Sequence, residues 1–360
     1  MKVLVTGHNG YIGSVMVRSL QAAGHEVVGL DTYFFADCTF GPPSPDPVAL
    51  RVDIRDVQPE HLQGFDAIIH LAALCNDPLG DLDPTITYEI NHRASVRLAR
   101  SAKTAGVHRF LFASSCSLYG VAREEMLDER AAFNPITPYG RSKVLAEHDV
   151  ASLADDHFSP TFLRNATAYG VSPRLRADVV VNNLVAAAYT TGEVTIHSDG
   201  TSWRPLVHVE DFCRAFVAVL HAPRPQIHNV AFNVGRSEEN YQVRAIADLV
   251  QRAVRGSRVT YAPGGGPDPR SYRVDCSKLA ETLPEFRPQW TVPQGIAQLC
   301  EAYRTFGLTR EDFCGGRFLR VRHIQALQRE GRVDGALRWQ HGAGERTAAD
   351  AVWQPSKVGS

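Results

Sequence analysis

The stretch Lys2-Val3-Leu4-Val5-Thr6-Gly7-His8-Asn9-Gly10-Tyr11-Ile12-Gly13 decides the fold. Residues 2–6 form a short, mostly apolar and β-branched run, as a buried strand requires. Three glycines follow, each three residues after the last. From Tyr11 to Ala23 the pattern turns helical. A strand that passes through glycines into a helix opens a βαβ unit. Gly7 permits the tight turn, Gly10 lets the backbone approach a diphosphate, and Gly13 lets helix and strand pack closely. The helix start adds free N–H groups and a positive dipole end.

Working outward, segments 26–30, 67–71, 109–114 and 161–163 resemble the first strand, and 85–105 and 139–156 resemble the first helix. This alternation predicts an α/β fold: a Rossmann-type, doubly wound parallel sheet covered on both faces, spanning residues 1–175. The second strand ends at Asp31, about twenty residues past the glycines, where a carboxylate bonds ribose hydroxyls. It would repel a 2′-phosphate, so NAD is expected over NADP. Asp53-Ile54 follows the third strand, either at the adenine edge or as a solvated turn. Leu71-Ala72-Ala73 ends the fourth, either under the cofactor or as plain packing.

Residues 176–305 are less regular. Helices are expected at 177–190, 209–222 and 243–254, with short strands at 194–196 and 205–208. They suit a smaller mixed α/β substrate-binding lobe, interleaved with the first. Segments 39–48 and 263–269 read as loops. Residues 306–360 form a helical extension and flexible tail. Phe318, Val321, Ile324 and Leu327 share one face of a basic helix expected to pack on the second lobe or at a dimer contact. Disorder is expected from about Gly342.

Composition narrows the class. At 360 residues and 44% hydrophobic, the chain can bury one large α/β body. A net charge of −1 supplies no basic stripe for nucleic acid. No apolar run reaches membrane-spanning length. Seven scattered cysteines without a Cys-x-x-Cys pair suit free thiols in a reducing cytoplasm, with no metal site expected. A strand starting right after Met1 leaves no room for a targeting peptide.

Tyr139 and Lys143 stand one helical turn apart, after Pro138. An ammonium beside a phenol stabilises the phenolate and lowers its pKa, which suits a general base for a hydroxyl. An ordinary exposed Tyr/Lys pair is the alternative. Ser114 and Ser115 end the preceding strand, as hydrogen-bond donors to the same oxygen or as strand-end caps.

These segments, with Ser114-Ser115-Cys116-Ser117-Leu118-Tyr119-Gly120 and Pro138-Tyr139-Gly140-Arg141-Ser142-Lys143, resemble the extended short-chain dehydrogenase/reductase family over residues 1–305. The likeness is to its NAD-dependent nucleotide-sugar epimerase/dehydratase branch, of UDP-glucose 4-epimerase type. It implies Ser115, Tyr139 and Lys143 as the catalytic triad. It also implies a tightly held NAD contacted by Gly7, Gly10, Tyr11, Ile12, Gly13, Asp31, Asp53, Ile54, Leu71, Ala72, Ala73, Tyr139 and Lys143. A nucleotide-diphosphate sugar would be held by Asn182, Asn183 and Arg204, with Asp268 and Arg270 nearby and Ser115, Cys116, Ser117 and Thr167 around the sugar. Helices 85–105 and 139–156 would form a homodimer.

Two departures bear on the reaction. The family's dehydratases follow the catalytic Ser or Thr with Asp-Glu, and here the pair is Cys116-Ser117. Cys116 is then a stand-in acid or a buried thiol. Thr167 stands where many relatives hold a substrate-binding asparagine. The expectation is epimerisation at C4 through a transient 4-keto sugar. Rivals are dehydration, decarboxylation, 3- or 5-epimerisation or keto-sugar reduction on the same scaffold, and a non-catalytic NAD-binding sensor or scaffold.

Overall fold

The computed structural model describes residues 1–42, 46–75 and 77–340, without the side chains of 122–125; the expected disorder beyond Gly342 lies outside these residues. Seven strands form the main sheet: β1 (Lys2–Thr6), β2 (Glu26–Asp31), β3 (Ala49–Arg51), β4 (Ala67–His70), β5 (Arg109–Ser115), β6 (Ser159–Asn165) and β7 (Val230–Val234). Their order is β7-β6-β5-β4-β1-β2-β3, and every pair is parallel. Chain order reverses between β4 and β1, which opens a crevice at the carboxyl ends of the strands.

The central strands are apolar throughout because helices cover both faces. Val3, Leu4, Val5, Ile68 and Ile69 are fully buried, each contributing about 1.5–3 kcal/mol. One face packs on α1 (Gly13–Ala22) and α5 (Val209–His221), through Met16, Leu20, Phe212 and Phe216. The other packs on α2 (Ser95–Thr104) and α3 (Pro138–Ala151), through Leu98, Ala99, Ala146 and Val150. Residues past 175 thus supply both a sheet strand, β7, and a covering helix, α5.

The second lobe is built on α4 (Val180–Thr191), α6 (Val243–Ala253) and α7 (Val292–Phe306), whose core includes Val181, Ile246, Val292 and Tyr303. Thr167–Tyr169, Trp203–His208 and Asn240–Gln242 pair beside it. Glu193–Ile196 pairs with Arg258–Tyr261, and Val121–Leu127 with Ser271–Val274.

Two local expectations change. The helix drawn to residue 156 stops at Ala151, because Asp155 turns the chain by accepting from the His157 and Phe158 N–H groups. The C-terminal helix, α8 (Arg320–Arg329), lies on the first half rather than the second lobe: Ile324 and Leu327 join the α2/α3 core with Val333 and Leu337, while Phe318 and Leu319, just before the helix, reach the second lobe's core. Polar anchors invisible to apolar periodicity fix that path. His323 bonds the Phe34 carbonyl at 2.8 Å, and the Trp339 indole donates to the Thr32 carbonyl at 2.6 Å.

Helix α1 sits so close to the glycine turn that a Cβ at Gly13 would lie 2.0 Å from the Gly7 carbonyl oxygen and 2.6 Å from the His8 Cα. Those are backbone atoms and cannot step aside. Gly13→Ala is expected to destabilise the protein by about 3 kcal/mol, read as a lower urea midpoint; an unchanged midpoint would show that helix and turn can separate.

Candidate active site

One cavity of about 1120 Å³ runs along the carboxyl ends of the strands. Gly7, Gly10, Tyr11, Ile12, Gly13, Asp31, Asp53, Ile54, Leu71, Ala72 and Ala73 line one end. Ser115, Ser117, Tyr139, Lys143 and Thr167 line its middle, and Asn183, Arg204, Asp268 and Arg270 the rest. Two expected residues are not brought to it. Cys116 is buried in a separate apolar cluster, where its thiol donates to the Arg164 carbonyl. Burial pushes that thiol far above its usual range, so it is no acid or base at neutral pH. Asn182 is wholly buried and bonds Gly170, the Arg176 carbonyl and the Tyr11 hydroxyl. It braces the wall instead of facing a ligand.

At the glycine end, Gly7 has φ +74°, and a Cβ there would meet the Ala72 nitrogen at 2.8 Å. No side chain caps the start of α1. Asp31 accepts from the Asn9 and Tyr33 backbone N–H groups at 2.9 and 2.7 Å, which aims its carboxylate over the turn. The neighbouring Asp53 is engaged by Arg55 at 2.6 Å and by Arg338 at 3.4 Å, leaving it less free for a base edge than its position suggested. Under the floor, the Ala72 N–H donates to Thr6, and His70 bridges Thr6 to Ser95 at 2.7 and 2.8 Å. Burial lowers His70 to about 3, so this bridge stays neutral.

In the middle, α3 presents Tyr139 and Lys143 on one face. Thr137 caps the helix through the Gly140 N–H, and Glu147 fixes it to β6 through a buried pair with Arg164 at 2.8 Å. The Ser115 hydroxyl, which donates to Ser117 at 3.0 Å, is the polar group that acts to lower the Tyr139 phenol. Lys143 donates to the Ala113 carbonyl at 2.7 Å and lies 5.8 Å from the Tyr139 ring centre. The expected lowering of the phenol pKa is overridden: burial drives Tyr139 well above its ordinary range, Cys75 and Asp77 adding and Ser115 and Arg176 opposing. Burial also lowers Lys143 to about 8. Both shifts have one cause, the poor solvation of charge in a dry site.

At the far end, Arg204 and Arg270 share Asp268, each at 2.7 Å, and Arg270 also reaches Asp77 at 2.8 Å. Asp77 in turn accepts from Thr137 at 2.7 Å. Sequence reasoning passed over Asp77, Arg176 and Asn165 and set Ser114 behind Ser115, yet all of them line the cavity. The Ser114 hydroxyl and the Asn165 amide oxygen are buried without a protein partner among the described residues. Asn165 ends β6 level with Ser115, so strand-end register was the available signal.

Fold and site together define a dinucleotide-dependent enzyme of the short-chain dehydrogenase/reductase type. The chain belongs to the NAD dependent epimerase/dehydratase family, whose model matches residues 3–235. It is 31% identical over 319 residues to UDP-glucose 4-epimerase of Mycolicibacterium smegmatis, spanning 84% of this chain and 99% of that one. It resembles MoeE5, solved with UDP-glucuronic acid and NAD, at 28% identity and a TM-score of 0.74 over 85% of this chain and 99% of that one. A UDP-glucose 4-epimerase from Thermotoga maritima, solved with UDP-glucose, gives 25% identity and the same TM-score over 85% and 99%. The cofactor of this NAD-dependent enzyme fits the glycine end: a turn with no room for a Cβ, an uncapped helix start, and an acid placed for ribose.

Lys143 gives a signed test of the site's dryness. Its folded pKa of about 8 lies below its ordinary 10.5. Below pH 8 folding must bury an ammonium, and that cost fades as pH rises towards 10.5. Lys143→Met is therefore expected to melt above wild type at pH 7, with the gap narrowing above pH 8. A gap constant with pH would mean that Lys143 titrates normally.

Proposed function

We propose that this protein is an NAD-dependent nucleotide-sugar epimerase acting at C4 through a transient 4-keto sugar. The observation that carries this is the place of Ser115, Tyr139 and Lys143 in one continuous cavity, between the glycine turn and the Arg204–Asp268–Arg270 cluster. A sugar whose diphosphate sits at that cluster would bring its ring to Tyr139.

Tyr139 takes the proton of the sugar 4-hydroxyl, and Ser115 hydrogen-bonds the 4-oxygen as it becomes a carbonyl. Burial favours the neutral phenol, so the Lys143 ammonium and the Ser115 hydroxyl have to offset it. NAD, when bound, supplies reversible removal of the C4 hydride, so inversion needs only that the ketone present its other face before the return. Arg204 and Arg270 grip the diphosphate through planar donor forks. The sugar beyond it stays free to turn.

Dehydration needs an acid and a base beside Ser115, and Cys116 and Ser117 supply neither. Products from a panel of UDP-, dTDP-, GDP- and CDP-hexoses and hexuronic acids, without added reductant, are therefore expected to have unchanged mass and altered retention. Loss of water or carbon dioxide would replace epimerisation with dehydration or decarboxylation. Tyr139→Phe is expected to lower turnover by at least about a hundredfold while folding normally; full activity would remove Tyr139 from the chemistry.

We also assign the protein to a reducing cytoplasm and to a homodimer built on the helices of residues 84–104 and on α3. Seven free thiols support the first. Among the described residues, no helix is long and apolar enough to cross a membrane. An exposed Leu145 on α3 supports the second. Sedimentation should give a dimer that Leu145→Glu dissociates; a wild-type monomer would refute this interface.

A further inference from the structure

Residues 318–340 run back over the glycine end of the cavity. Besides His323 on Phe34 and Trp339 on Thr32, the Arg55 guanidinium donates to the Ala336 and Leu337 carbonyls at 2.7 and 2.9 Å. Arg338 pairs with Asp56 and Asp53. All these anchors flank Asp31 and Asp53.

Arg320 lies where this segment meets the cavity wall. It is 97% buried, being 3% exposed, and its guanidinium stacks 4.2 Å from the Phe35 ring centre. Nη2 donates to the Arg174 carbonyl at 2.8 Å. Nη1 is buried with no protein partner among the described residues. Asp178 accepts from the Arg320 backbone N–H, but its carboxylate is paired with Arg176 at 2.8 Å. Two buried guanidiniums thus stand beside one carboxylate. The charges of Arg176, Asp178 and Arg320 all act on the hydroxyl of Tyr11, in the glycine turn. An uncompensated buried cation is expensive, and an anion at the turn would relieve it.

We propose that Arg320, carried by the C-terminal segment, is an anion ligand for the diphosphate of NAD, and that residues 318–340 strap the dinucleotide in place. This rests on the glycine end being the NAD site. Arg320 completes it with a charge-assisted donor that the turn, built of backbone N–H groups, lacks.

NADH is titrated by fluorescence, and UDP and adenosine by calorimetry, with wild type, Arg320→Gln and Arg320→Lys. Arg320→Gln is expected to weaken NADH binding roughly ten- to a hundredfold, with UDP and adenosine unchanged and Arg320→Lys recovering part of the loss. A folded Arg320→Gln with wild-type NADH affinity would overturn the proposal. So would a variant that loses UDP and keeps NADH, which would move the guanidinium to the sugar-nucleotide end. Wild type that binds UDP but no NADH would remove the cofactor site itself, and this inference with it. If Arg320→Gln does not fold, Arg338→Ala at the strap's exposed end decides. NADH is then expected to leave several times faster, and an unchanged release rate would overturn the strap.

Discussion

The whole architecture hangs on one close approach, the contact of α1 with the turn after β1. Without a side chain at Gly13, the helix start lies directly against the Gly7 carbonyl. That fixes where the uncapped N–H groups point and how α1 crosses the sheet. Because β1 is the strand at which order reverses, the same contact places the crevice. Every later element is positioned relative to it: β5 and β6 bring Ser115 and Asn165 level, and the Glu147–Arg164 pair holds α3 over them.

Charge is arranged differently at the two ends of the cavity. At the Arg204 end the cations are already matched by Asp268 and Asp77, so an anion arriving there would have to displace carboxylates. Binding there is an exchange of partners, which favours a ligand that can also be released. At the glycine end the buried cations outnumber the acid beside them, and an anion is added without displacing anything.

The sequence made the sheet, the glycine turn and the Tyr139/Lys143 pair legible, because each depends on local periodicity or fixed spacing. Less of the remainder could be read. Cys116 looked like a sugar neighbour because it adjoins Ser115, yet it opens the 3-10 turn Cys116–Tyr119 just past β5 and faces into a separate core. Asn182 matched a binding motif, but its side chain is taken up by Gly170, Arg176 and, across 171 residues of chain, Tyr11. Val121–Leu127 and Ser271–Val274 pair across a long separation and carry no sustained apolar run. Arg320 was hidden in a basic helix, since neither burial nor an unmatched charge can be read from spacing. The phenol shift at Tyr139 was also out of reach: Lys143 was identifiable, whereas the dryness that outweighs it belongs to the assembled fold.

The route of the C-terminal segment carries a consequence for how the molecule comes into being. Arg55 and the Ala336 carbonyl touch across 281 residues of chain. During synthesis the first strands leave the ribosome long before their last contacts exist. The glycine turn can form early, but the wall carrying Arg320 is finished only after residues 318–340 have emerged. A nascent chain still lacking residues 318–340 would therefore present an open version of the nucleotide crevice.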